Sequence, residues 1–245
     1  MPDPLLPSLA ALAACAGGVA LGTAAQRLTG AGFGMIAAPV LGLVAPGWLP
    51  GAVLLTGLAV GAGAVASDWR PVVPADLPPG FAGRALGAAV AAWIAAGVVG
   101  TAALPLTVAG VVLLGVALTA LRPRVPIRPA TLGAAGLTAG IMGTLTGIGA
   151  PPMALLYADV EARRAAATQN VFFAFGMAVS IAALALAGLV GWRHLALAAV
   201  LAPVAAATLV AVRPLRGRVG ATLRPWALGL STLAALALIG RTLAG

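Results

Sequence analysis

Two stretches of this chain repeat a small pattern of residues whose chemistry suits an anion. Thr29-Gly30-Ala31-Gly32-Phe33-Gly34 follows Arg27 and precedes Pro39. Gly143-Thr144-Leu145-Thr146-Gly147-Ile148-Gly149-Ala150-Pro151-Pro152 lies in the second half, and both stretches contain Thr-Gly-x-Gly. Glycine clusters and paired prolines unwind a helix. Unwound backbone, and the N-terminus of a helix that resumes after the break, present N–H groups to negative charge. Thr29, Thr144 and Thr146 add hydroxyls, which can equally bond back to their own helix carbonyls. Arg27 is the one charge inside the first segment; it reads as a counter-charge or as a side chain snorkelling to an interface. Gln169 and Asn170, about one turn past Arg164, carry amide groups that can donate to an anion or join two helices.

Other chemistry has little to build on. The chain has one cysteine, Cys15, and one histidine, His194. No Cys/His metal spacing, P-loop, dinucleotide-binding glycine motif or nucleophile elbow is present. The expectation is a non-enzyme without a cofactor or metal. ATP hydrolysis would have to reside on another chain.

The elements that position these residues follow from composition. Of 245 residues, 62% are hydrophobic and 8% charged, against about 25% charged in a soluble domain. The mean hydropathy is +1.10. This excludes a soluble enzyme and a nucleic-acid binder, and leaves a polytopic integral membrane protein. The net charge of +9 comes from arginines set singly or in short groups between apolar runs, the pattern of membrane topology.

Charges divide the chain at Arg27, at the Pro-rich link from Asp68 to Arg84, at Arg122 to Arg128, at Asp159 to Arg164, and at Arg213 to Arg224. The run 85–121 is long enough for two spans, with its turn expected between Gly100 and Pro105. Each glycine break is followed by a short apolar piece, a loop and three spans. The chain therefore reads as an internal duplication within one membrane domain, with repeat 1 at about residues 1–122 and repeat 2 at about 129–245. If each broken segment crosses fully, seven arginines face six across the membrane. If each is a re-entrant hairpin, Arg70, Arg84, Arg122, Arg124, Arg128, Arg163, Arg164, Arg213, Arg216, Arg218 and Arg224 share one side, and only Arg193 and Arg241 lie opposite. Eleven against two obeys the positive-inside rule. Three crossings per half then invert the second repeat relative to the first, an arrangement transporters use. The first hairpin is uneven: residues 5–27 make about 35 Å of helix and residues 34–45 about 18 Å. The expected fold is an all-α transmembrane bundle of two inverted repeats, each a re-entrant or broken helical hairpin plus three spans.

The stretch from Gly30 through Gly34 to Pro39 resembles the first signature of the TauE/SafE sulfite-exporter-like permeases. The stretch from Gly143 to Tyr157 resembles the second, and Arg163-Arg164 with Gln169-Asn170 is similar to the segment that follows. The chain has Gly32-Phe33-Gly34 where a glycine triplet is common, and Ala150-Pro151-Pro152 where relatives carry more glycine. The resemblance implies secondary transport of a small sulfur-containing or organic anion, such as sulfite, a sulfonate or sulfoacetate, across the inner (plasma) membrane. The expected substrate-binding residues are Arg27, Thr29, Gly30, Gly32, Phe33 and Gly34 from the first break. Thr144, Thr146, Gly147, Gly149 and Pro151 come from the second, and Gln169 and Asn170 from the span beyond. The expected partners are the anion and the lipid bilayer, with no nucleic acid; a homo-oligomer is left open. A membrane-embedded anchoring subunit is the rival reading, but a scaffold has no need of paired helix breaks. His194 is expected in a solvated outer loop, and Trp48, Trp69, Trp192 and Trp226 at the membrane interfaces. Trp93 falls inside a span with no assigned role.

Overall fold

The computed structural model describes residues 4–101, 103–121, 125–215 and 220–244, without the side chains of 220–227. Among the described residues the regular structure is entirely helical. The first half holds α1 (Leu9–Thr29), α2 (Phe33–Val44), α3 (Gly51–Ser67), α4 (Leu77–Val98) and α5 (Ala103–Leu121). The second holds α6 (Pro129–Thr146), α7 (Pro151–Leu156), α8 (Ala162–Leu186), α9 (Trp192–Ala211) and α10 (Gly220–Ala244). Among the described residues five segments are long and apolar enough to cross a membrane: Leu9–Thr29, Pro74–Val98, Ala103–Leu121, Ala162–Leu186 and Trp192–Ala211. The protein is a multi-pass helical membrane bundle. Its outward faces fit that solvent, since Leu9 is 85%, Trp93 82% and Leu186 91% exposed, a cost in water and none in lipid.

The helix pairings respect an exchange of the two halves. α3 packs on α8 and α5 on α10; α3 on α9 is matched by α8 on α4, and α2 on α10 by α7 on α5. Likewise α1 on α9 is matched by α6 on α4. The breaks fall where the glycines are. α1 ends at Gly30 with φ 78° and α6 at Gly147 with φ 80°, a left-handed conformation that glycine adopts without strain. The limb after each break is the shorter one. α2 has 12 residues and α7 only 6, about 18 Å and 9 Å.

α4 and α6 form the closest helix pair. A Cβ at Gly83 would overlap the Gly133 carbonyl, one at Gly87 the Leu137 carbonyl, and one at Gly136 the Gly80 carbonyl. Glycine at each contact lets the backbones touch, the small-residue packing favoured in membranes. The apolar core lies beside this pair, around Phe33, Leu41, Leu54, Val108, Met177, Leu197 and Leu201.

Two expectations change here. Arg84 is not the end of a surface link. Pro78 and Pro79 occupy the first turn of α4, where proline needs no hydrogen-bonded N–H, so the helix is already running at Arg84, which is 2% exposed. Trp93 lies nine residues on, two and a half turns, and so on the opposite, lipid-facing side of α4. The expected one-sided arginine cluster accordingly loses Arg84; Arg122, Arg124, Arg216 and Arg218, and the side chain of Arg224, lie outside the described residues. His194 is also buried: its Nδ1 accepts from the Gly191 N–H at 2.9 Å, and its ring packs against Gly51.

Candidate functional site

The two breaks are built alike. Thr29 donates its hydroxyl to the Ala25 carbonyl at 2.8 Å and accepts from the Ala31 N–H at 3.3 Å. Thr146 donates to the Met142 carbonyl at 2.7 Å and accepts from the Ile148 N–H at 3.2 Å. Each threonine thus closes the last turn of its helix and holds the chain two residues further on. This is the alternative of back-bonding to the helix rather than a free hydroxyl.

The breaks also meet. A Cβ at Gly34 would overlap the Gly147 carbonyl, and one at Gly30 (φ 78°) would lie 2.6 Å from the Ala166 Cα on α8. Glycine at both positions lets the first break lie against the second and against the start of α8. Gln26, fully buried on α1, cross-braces the join. Its Nε2 donates to the Gly30 carbonyl at 2.8 Å and to Asn170 Oδ1 at 2.9 Å, and its Oε1 accepts from the Phe33 N–H at 3.3 Å. Asn170 therefore ties α8 to the first break. Phe33 meets Phe173 edge-on, ring centres 6.2 Å apart.

Behind the second break lies Arg84. The bare Cα positions of Gly143, Gly149 and Gly176 leave the room its guanidinium fills, since a Cβ at any of them would strike its nitrogens. Nη2 donates to Ser180 Oγ at 3.3 Å, and Ser180 shares a 2.7 Å hydrogen bond with Thr144. Nε and Nη1 have no hydrogen-bond partner among the described residues. Withdrawing a cation from water without a full set of partners costs on the order of several kcal/mol.

Arg84 opens on a cavity of about 10 Å³, room for about one water molecule. Gly30 comes from the first break, Gly149 and Ala150 from the second; Met153, Gln169, Phe172 and Phe173 complete the lining. Gln169 is 6% exposed, and its Oε1 is without a hydrogen-bond partner among the described residues. Of the residues expected at the site, Gly30, Gly149 and Gln169 line this cavity. Thr144 stands behind Arg84 through Ser180, two hydrogen bonds away, and Asn170, Phe33, Gly34 and Gly147 form the join beside it. Gly32 has φ 125° and packs against Ala25. Pro151 is buried at the start of α7, against Gly115. Arg27 is 3% exposed near the end of α1 and is not in the cavity wall. The sequence reading missed Arg84, Ser180 and Gln26. The signal for Arg84 was Gly80-x-x-Gly83-Arg84-x-x-Gly87, an arginine within a close-packing glycine face.

At one edge of the site, residues 68–76 grip residues 157–168. Arg163 Nη2 pairs with Asp68 Oδ1 at 3.1 Å, Tyr157 donates to Asp76 Oδ2 at 2.6 Å, and the Val73 N–H donates to Thr168 Oγ1 at 3.0 Å. Burial first, then Asp76, pushes the Tyr157 phenol well above its ordinary range. Glu161 caps α8 through the N–H groups of Arg163 and Arg164, which hold its carboxyl below the usual carboxylate range.

An apolar helical bundle with two broken helices meeting beside a buried cation is the architecture of a membrane transport protein. The family described as sulfite exporter TauE/SafE matches residues 14–238, nearly the whole chain and both breaks, and the protein belongs to that family of permeases. No curated protein and no solved structure matches the chain.

Proposed function

We propose that this protein is a permease for a small sulfur-containing or organic anion, of the sulfite, sulfonate or sulfoacetate type. It works by secondary transport in the inner (plasma) membrane. The observation that carries the reading is the cavity bounded by Gly30 of one break and Gly149 of the other, with a buried arginine and a polar amide in its wall. Sites of this kind form near the bilayer midplane, between repeats whose helices are interrupted. The family likeness supplies the substrate class.

In this reading the two repeats are inverted, and the breaks face one another across the substrate. Gly30, Gly32, Gly34, Gly147 and Gly149 let backbone approach the anion, with Phe33 and Pro151 holding the loops. Gln169 contributes amide donors, which a flip of its side chain presents. Asn170 and the threonines 29, 144 and 146 set the loop geometry. Arg27 adds positive potential from the first limb, and Arg27→Ala lowers flux without unfolding the protein. A cavity of about 10 Å³ is smaller than sulfite, so loading requires α7 and the start of α8 to move away from the first break. Among the described spans the acidic residue is Asp76, at the very start of Pro74–Val98 and bonded by Tyr157, so the driving force is assigned to the anion gradient rather than to a carboxylate deep in the membrane.

The test is uptake into proteoliposomes of labelled sulfite, sulfoacetate and, as a cation control, choline. Saturable uptake of one of the anions and none of choline supports the reading. Anion uptake no faster than in protein-free vesicles overturns it.

A further inference from the structure

We infer that Arg84 is the substrate's counter-charge, the residue that binds the oxyanion directly, with Ser180 and Thr144 as its positioning residues. The inference rests on the permease reading above and names the group on which that site turns. Three observations converge on Arg84.

The first is its donors. A guanidinium carries five N–H groups. One goes to Ser180 at 3.3 Å, whereas Nε and Nη1, three N–H groups in all, have no partner among the described residues. An arginine kept for architecture spends its donors on carbonyls or carboxylates, because a buried donor left unmade is costly. The second is charge. Arg84, 2% exposed inside the bundle, forms no ion pair with a carboxylate among the described residues, whereas Arg163 at the edge pairs with Asp68. The third is place. Arg84 lies in the wall of the cavity that both breaks share, next to Gln169, whose buried Oε1 is also unpartnered.

The surroundings hold the guanidinium in one pose. Gly143, Gly149 and Gly176 come from α6, the second break and α8, and each meets its nitrogens where a Cβ would stand. Ser180 is fixed in turn by Thr144 at 2.7 Å. The cation is thus placed before substrate arrives, and only the anion's oxygens complete its hydrogen bonds. The ligand class that follows is a small oxyanion, with several acceptor oxygens on one centre to match a multi-donor cation. A halide, with a single point of contact, is a poorer match. Phe172, Phe173 and Met153 in the lining exclude water from the pairing.

The experiment uses the full chain purified in detergent and reconstituted in vesicles, with sulfite as the probe and chloride as the halide control. Wild-type Tm rises with sulfite and rises less with chloride. Arg84→Gln removes an uncompensated buried charge. Its ligand-free Tm therefore equals or exceeds that of the wild type, its sulfite-induced shift disappears, and its flux falls about 30-fold or more, the loss expected when one partner of a buried charge pair is truncated. Arg84→Lys keeps the charge without the planar fork and retains an intermediate flux. Ser180→Ala raises KM with a smaller change in maximal rate. Arg84→Gln that keeps the sulfite shift and wild-type flux overturns the inference. So does a lower ligand-free Tm in both Arg84→Gln and Arg84→Lys with flux per folded protein unchanged, since that makes the arginine architectural. Wild-type protein that neither shifts with sulfite nor carries it overturns the permease reading itself, and this inference with it.

Discussion

Gly34 and Gly147 stand backbone to backbone, so close that a Cβ on Gly34 would overlap the Gly147 carbonyl oxygen. Residues more than a hundred positions apart thus join the two broken helices at one point. Gly34→Ala forces that join apart. Overpacking a tight contact costs about 1–3 kcal/mol, so Tm falls by several degrees and flux falls with it. Gly17→Ala is the control. Its Cβ would meet nothing within 4 Å, and alanine is the better helix former by up to about 1 kcal/mol, so Tm is unchanged or raised. Thermal unfolding of the two variants in the same detergent shows a lowered Tm for Gly34→Ala alone if the join is as described.

Gln26 and Asn170 form the polar brace of that join. Each single replacement by leucine strands a buried group of the other residue, at about 1–3 kcal/mol. The double variant loses less than the sum, with a coupling between about 0.5 and 3 kcal/mol. A double-mutant cycle measured by unfolding checks this, and strict additivity would mean that the 2.9 Å contact carries no weight.

Tyr157 is the chain's one tyrosine, so alkaline absorbance titration reports it alone. Its folded pKa is raised by burial and by Asp76. A raised pKa means that the stabilising contribution is fully present below the unfolded value of about 10 and is lost as pH rises through the folded value. Ionisation in the native protein is therefore delayed well past that of free tyrosine. Asp76→Asn, which removes the negative charge, brings ionisation to a lower pH. Titration at the ordinary tyrosine value would contradict the 2.6 Å contact.

The arginine asymmetry carries a topology prediction. On a Cys15→Ala background, cysteines at Pro126 and Asp159, both exposed, react from the same side with an impermeant thiol reagent. A cysteine at Ala187, exposed beyond the end of α8, reacts from the other. Labelling of positions 126 and 159 from opposite sides would mean that the second broken segment crosses the membrane completely.

The helices were legible because charge, glycine and proline mark their ends. Pro129 begins α6, Gly30 and Gly147 end α1 and α6, and the turn expected between Gly100 and Pro105 lies slightly earlier, between Val98 at the end of α4 and Ala103 at the start of α5, which takes in Pro105. What the sequence hid is the depth of Arg84. Four prolines and several charges from Asp68 onward read as a surface link, yet two of those prolines sit where a helix starts, and the helix carries the arginine inward. Ser180 and Gln26 were equally hidden, since a single polar residue in an apolar span shows no partner until a distant helix supplies one: Thr144 for the first, Asn170 for the second. Gly149 was expected to let backbone approach an anion. Its φ is ordinary, and it is needed for space, because a Cβ there would strike Arg84.

Transport in this protein turns on passage of an anion through the cavity that the two breaks enclose. Efflux of sulfite from loaded vesicles, compared at matched protein levels between wild type and Gly149→Val, tests that most directly. The account predicts saturable, protein-dependent efflux for the wild type, and background efflux for Gly149→Val that is still folded by size-exclusion and Tm. Efflux equal to that of empty vesicles for the wild type, or undiminished efflux from folded Gly149→Val, would contradict it.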